Sequence, residues 1–183
     1  MGGLESDTIG GFNAFIEKQE KMEGRTIVTT VLFDDRYEIL WNGVDAGKAR
    51  LTSNEYYVRG LTALLDAVGK TILDVGNRLA IQDEEERPGK VIFVITTDGL
   101  ENASRKFSYE KVKELIQHQQ EKYSWEFIFL GANIDVAKEA DNLGITKDNA
   151  YSFDACHDGV EEMYCLIHDK VSEKRHSKKK KGT

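Results

Sequence analysis

Two stretches of the sequence carry oxygen-bearing side chains where a fold could put them to chemical use. In VIFVITTDGL (91–100), the β-branched and aromatic run from Val91 to Ile95 stops in Thr96, Thr97, Asp98 and Gly99. Such a run reads as a buried parallel strand reaching the rim of a sheet, the edge at which open α/β sheets bind ligands. Asp98 is suited there to three tasks: metal ligand, nucleophile, or cap of the next turn. In RGLTALLDA (59–67), Thr62 stands at the start of an amphipathic helix. Its hydroxyl either caps backbone amides or offers an oxygen to a hard cation such as Mg²⁺.

Two other groups could do chemistry and have simpler readings. Asp34 and Asp35 in LFDDR would suit metal-assisted phosphoryl transfer or hydrolysis, but turns between antiparallel strands also favour aspartate. Cys156, His157, Cys165 and His168 in CHDGVEEMYCLIH are all of zinc-ligand type, and Cys165 and His168 share a helix face. Their spacing matches no common zinc module, and free cysteine is a frequent core residue. The sequence has no phosphate-binding glycine loop, nucleophile elbow or HExxH pair, and His118 lies in a glutamine-rich helix without a serine or cysteine partner.

The elements that must position these residues alternate between strand and helix. Helical spacing of Ile9, Phe12, Phe15 and Ile16 predicts a helix from near Asp7, with Ser6 and Asp7 as its cap. Strands follow at 25–35 and 36–45, joined by a reversal at Asp34 and Asp35, with Trp41 packing along them. Further on come a helix over 62–80, a carboxylate-rich loop with Pro88, the strand at 91–97, a helix over 108–123 and a strand at 125–133. A helix over 135–143, a short strand at 150–154 and a helix from Gly159 to Ser172 complete the order. Strands separated by helices imply a doubly wound, mostly parallel sheet with helices on both faces, and the 25–45 pair supplies one antiparallel edge strand.

YYVRGLTALLDAVGKTI and VIFVITTDGLENAS, in this order and at this separation, resemble the second and third motifs of the von Willebrand factor A domain. GLESDTIGGFNAFIEKQ is similar to the helix that follows the first motif in bacterial and phage members. The resemblance covers nearly all of residues 1–172 and implies a VWA fold with its metal-ion-dependent adhesion site. In that site the residue matching Thr62 binds the metal directly, and the residue matching Asp98 usually binds through water. The family's first motif, DxSxS at the end of a buried central strand, has no counterpart here: Met1-Gly2-Gly3 corresponds to the position just after it. The expectation is a VWA-like sheet whose first central strand is missing, in a sequence that is a fragment of a longer protein. The Mg²⁺ site, reduced to Thr62 and Asp98, is then incomplete. Glu101 and Asn102 are expected to be solvent-exposed loop residues, and Tyr56 and Tyr57 to pack at an edge.

Composition bounds what such a domain can do. With 183 residues and 40% hydrophobic content the chain has material for one core. The net charge of −7 argues against a general nucleic-acid surface. EKRHSKKKKGT (173–183) sets six Lys or Arg against one acid and lacks apolar residues, so a basic disordered tail is expected after a domain spanning 1–172; phosphate or acidic contacts belong only there. Two cysteines fit a reducing compartment, and no membrane-length apolar run or signal pattern is present, so the cytoplasm is the expected location. The resemblance implies a protein-binding module, an adhesion or scaffold domain without a reaction of its own, whose metal accepts a carboxylate from a protein partner. The alternative is a phosphoryl-transfer or hydrolytic α/β enzyme using strand-end aspartates.

Overall fold

The computed structural model describes residues 2–58 and 60–177. In chain order the elements are α1 (Glu5–Glu20), β1 (Ile27–Phe33), β2 (Tyr37–Asp45), α2 (Leu64–Ala80), β3 (Ile92–Thr97), α3 (Tyr109–Tyr123), β4 (Glu126–Gly131), α4 (Val136–Leu143), β5 (Ala150–Ser152) and α5 (His157–His176). Local chemistry sets most boundaries. Ser108 caps α3 by accepting from Lys111 N, and Asp135 caps α4 by accepting from Lys138 N. Gly144 ends α4 at φ +78°, a left-handed conformation that glycine adopts without steric cost. α1 departs from expectation: it starts at Glu5 with no side-chain cap, and Asp7 in its first turn bonds His157 instead.

β3, β4 and β5 form a parallel sheet with β4 in the middle. The two faces of β4 are both fully covered, which is why its sequence is an unbroken apolar run. Phe127 and Phe129 enter a core made with α2, α3 and α4. Ile128 and Leu130 enter a second core made with α5, which Leu4 and Phe15 flank from the α1 side. Helices therefore lie on both faces, as a doubly wound α/β fold requires. β1 and β2 pair antiparallel through a turn at Asp34–Arg36, and Trp41 on β2 stacks on Phe12 of α1 at 5.9 Å.

α1 and α5 lie side by side in the same direction. His157 Nδ1 is 2.7 Å from Asp7 Oδ1 near their starts, and Arg175 donates to Gln19 O and Oε1 near their ends. The ends of both helices mark the amino rim of the sheet. There Arg175 reaches Thr26 just before β1, Lys90 just before β3 bonds the Lys174 carbonyl, and Lys174 pairs with Glu126 at the start of β4. The opposite rim gathers the carboxyl ends: the Asp34 carbonyl, after β1, accepts from Ala63 N, and the Thr97 carbonyl of β3 accepts from Ala132 N. β1 and β3 thus run in the same sense, yet no ladder joins them, and the strands form two separate sheets. Among the described residues no strand occupies the space between them.

α5 continues to His176, four residues past the boundary expected for a tail. The expectation rested on the absence of apolar residues. What it missed is that Lys174 and Arg175 are anchored by polar contacts to Glu126, Gln19 and Glu23. Residues 178–183 lie outside the described residues. Among the described residues no helix is long and apolar enough to cross a membrane.

Because Phe129 is wholly buried and touches the larger core, Phe129→Ala should lower unfolding free energy by about 3–5 kcal/mol. Ile81→Ala, at a side chain 86% exposed, should stay within about 0.5 kcal/mol. Urea unfolding midpoints at constant m-value check both.

Candidate functional site

At the carboxyl rim the chain leaves β3 through a hydroxyl-stabilised turn: Thr97 Oγ1 donates to Gly99 O at 2.9 Å and accepts from Gly99 N at 3.3 Å. This turn sets Asp98 at the strand's end. Thr62 is held beside it by a reciprocal pair, Thr62 N donating to Asn102 Oδ1 at 2.9 Å and Asn102 N donating to Thr62 O at 3.0 Å. The Thr62 hydroxyl oxygen lies only 3.3 Å from where a Cβ on residue 99 would stand, so glycine at 99 permits the approach. The structure therefore places Thr62 against the turn that follows Asp98.

Thr62 does not cap α2. The helix begins at Leu64 with Ala63 at the cap position and no side-chain bond from it. The loop after β3 does that work instead. Glu101 accepts from Leu65 N, Ala103 N, Ser104 N and Ser104 Oγ at 2.7–2.9 Å, and Ser104 Oγ accepts from Asp66 N. Asp66 in return accepts from the backbone N–H groups of Arg105, Lys106 and Phe107. Glu101 and Asn102 are loop residues as expected, and Asn102 is exposed, but Glu101 is half-buried and both clamp the 99–107 loop onto the start of α2. The available signal was Glu101 spaced three residues before Ser104, a carboxylate placed to accept from the next turn's amides.

Partial burial pushes the Asp66 carboxyl up, but the three backbone donors outweigh it and hold the group below its ordinary value of 3.8. The other candidates resolve into structural roles. Asp34 Oδ1 accepts from Arg36 N inside the turn. The four zinc-type residues go separate ways: Cys156 accepts from Gly159 N at the start of α5, His157 bonds Asp7, His168 bonds Gln19, and Cys165 is exposed on α5, so neither cysteine is the core residue expected. The hydrogen bond and charge of Asp7 raise the His157 pKa.

A hydroxyl and a carboxylate at one rim are the donor chemistry of a hard cation, but Mg²⁺ takes six oxygens. Among the described residues no three His, Cys, Asp or Glu side chains group to hold a metal ion. The donor type fits; the donor number does not complete a site. Around it, Leu61 and Leu100, next in sequence to Thr62 and Gly99, are 49% and 56% exposed. Tyr57 is also exposed, its hydroxyl donating to Glu38 at 2.7 Å rather than being packed away at an edge.

No protein-family profile and no curated protein matches the chain. Among solved structures, proximal thread matrix protein 1 from the mussel byssus is similar, with a TM-score of 0.58 and 13% identity over 91% of this chain. A second structure of that protein, described as having a zinc-occupied MIDAS motif, aligns with a TM-score of 0.60 and 14% identity, again over 91% of this chain. The chain spans 40% of the length of those chains. At such identity the likeness concerns architecture, and it supports a VWA-like α/β fold.

The depressed Asp66 pKa carries a pH signature. A carboxyl lowered by folding stabilises above its unfolded value, and that contribution is lost as pH falls through the folded one. Asp66→Ala should therefore cost roughly 1–3 kcal/mol at pH 7, with the gap to the parent chain narrowing below about pH 4. Urea unfolding of both chains from pH 7 to pH 3 measures it.

Proposed function

We propose that this chain is a protein-binding scaffold module that docks its partner at the Thr62–Asp98 rim, with a divalent cation, Mg²⁺, shared between those residues and a carboxylate of the partner. The observation that carries the reading is the placement of the Thr62 hydroxyl against the Asp98–Gly99 turn, enforced from a separate loop by Asn102. The Thr62 hydroxyl is thus held against the residue that follows Asp98, and it does not serve as the cap of α2. A cation there would add positive charge to an acidic body and leave coordination positions for anionic oxygen. Exposed Leu61 and Leu100 supply apolar contact area beside it, the usual surroundings of a polar anchor in an interface. The resemblance of the two rim motifs to the VWA family, and the VWA-like architecture, support the same reading.

We assign the chain no reaction of its own. The alternative of a phosphoryl-transfer or hydrolytic enzyme needs strand-end carboxylates directed at a common substrate, and Asp34 is engaged in its own turn. With two cysteines, neither in a disulfide, the module suits a reducing interior such as the cytoplasm.

A Mg²⁺ titration followed by amide chemical shifts tests the proposal. Saturable shifts should centre on Thr62, Asp98, Gly99 and Asn102 with weak, millimolar affinity, since two protein donors leave most of the shell to water. Thr62→Ala should abolish them with the thermal midpoint unchanged, and Asp34→Asn should leave them. Shifts confined to the acidic turn at Glu84–Glu86, or absent altogether, would overturn the assignment.

A further inference from the structure

Three of the four histidines lie on α5, and their hydrogen-bond partners give each a different response to a proton. His157 Nδ1 faces the Asp7 carboxylate at 2.7 Å, with Asp158 and Glu161 adding negative charge, so protonation strengthens that contact. His176 Nδ1 donates to the Ser172 carbonyl at 2.8 Å, and a second proton on Nε2 leaves that bond in place. His168 differs from both, because its partner is the side-chain nitrogen of Gln19, 3.0 Å from Nδ1.

The direction of that bond is fixed from outside it. A guanidinium has donors only, so the Gln19 atom that meets Arg175 Nη1 at 3.0 Å has to be the carbonyl oxygen, and the amide nitrogen has to face His168. Turning the amide over would set donor against donor at Arg175. Gln19 is 2% exposed, and Arg175 is itself held by Gln19 O, Thr26 Oγ1 and Glu23 O, so a rearrangement would break several bonds at once. Gln19 Nε2 also donates to Ser172 Oγ at 3.4 Å, and that hydroxyl donates to His168 O at 2.6 Å. Nδ1 must therefore accept, and the ring carries its single proton on Nε2. A second proton would occupy the lone pair that the network uses and bring two N–H groups together.

We propose that the Gln19–His168 bond is a proton-operated latch: neutral His168 fastens the end of α1 to α5, and protonated His168 releases it. The charged group that shares Gln19 with His168 is the Arg175 guanidinium, which opposes a second positive charge. α1 also offers Met22 through Ser172, and on the sheet side α5 directs Lys174 to Glu126. Among the described residues no carboxylate bonds the His168 ring, in contrast to His157. Acid therefore acts in opposite senses along one helix pair. It tightens Asp7–His157 where the helices start and loosens Gln19–His168 near the end of α1. Gln19, Glu23 and Arg175 also line a channel of about 1,580 Å³ between the two sheets, as do Phe15 of α1 and Ile167 of α5. The proton on His168 thus sets how firmly one wall of that channel is held at the amino rim. The inference is independent of the metal.

Amide exchange at about pH 7.5 and about pH 5.5, expressed as protection factors so that the intrinsic pH dependence of exchange drops out, tests the latch. In the parent chain the protection of residues 16–20 should fall about 10-fold or more at the lower pH, while residues 8–12 and the β4 amides keep theirs. His168→Asn puts a side-chain oxygen near the place of Nδ1, accepts from Gln19 at either pH, and should abolish the fall. In Gln19→Glu the carboxylate accepts from Arg175 and from a protonated ring, so acid should now raise protection at the end of α1. This is a change of sign within one variant, which a lower overall stability of that variant does not blur. Unchanged protection in the parent, the same fall in His168→Asn, a fall in Gln19→Glu, or an equal fall in β4 would each overturn the proposal. His157→Asn, at the other end of the helix pair, should leave the response of residues 16–20 as it is; loss of the response there would assign it to the Asp7 contact and overturn the latch as well.

Discussion

The burial of β4 on both of its faces organises everything else in the molecule. Phe127 and Phe129 hold α2, α3 and α4 to one side, and Ile128 and Leu130 hold α5 to the other, so one six-residue strand joins the two cores. At roughly 1.5–3 kcal/mol for each large side chain removed from water, these four alone match the net stability of a typical domain. The position of α5 then fixes α1, which lies along it through Asp7, Gln19 and Arg175 contacts rather than on the sheet's own strands. The β1–β2 hairpin follows from α1 in turn. The hairpin is thus held at second hand, by helices and by the Asp34–Ala63 bond, without a ladder to the parallel strands.

The carboxyl rim depends on a different kind of constraint. Nothing apolar locates Thr62; it is placed by backbone and carboxylate hydrogen bonds that tie the loop after β3 to the first turn of α2. Glu101 and Asp66 face each other's loops reciprocally, each accepting amides that the other's segment would leave unpaired. Helix starts always have orphan N–H groups, and here a distant loop satisfies them. The cap of α2 and the geometry of the rim are therefore one structure, which frees the Thr62 hydroxyl from capping and lets it stand beside Asp98.

Much of this was legible in the sequence because it rests on periodicity. The unbroken run Phe127–Leu130 and the strand at 92–97 announce themselves, as do the apolar stripe of α2 and the capping residues Ser108 and Asp135. What was not legible rests on long-range polar contacts. Glu101 looked like loop because its partner on α2, Leu65, lies 36 residues away and is joined only by folding. Arg175 looked like tail because its anchors lie on Gln19 and Glu23, more than 150 residues away. Asp7 looked like a cap because the competing partner, His157, is equally remote. A side chain's local preference is a weak guide wherever a distant group satisfies it better.

The divided sheet and the two-donor rim are consequences of one geometry. The channel opens at the rim between the end of β1, at Asp34, and the end of β3, at Asp98. Thr62 lies at that same mouth, since its neighbour Ala63 bonds the Asp34 carbonyl while its own backbone bonds Asn102. The mouth of the channel and the rim therefore share one boundary, set by the Ala63–Asp34 and Thr62–Asn102 bonds. The described residues hold the rim in shape through the Glu101–Asp66 clamp.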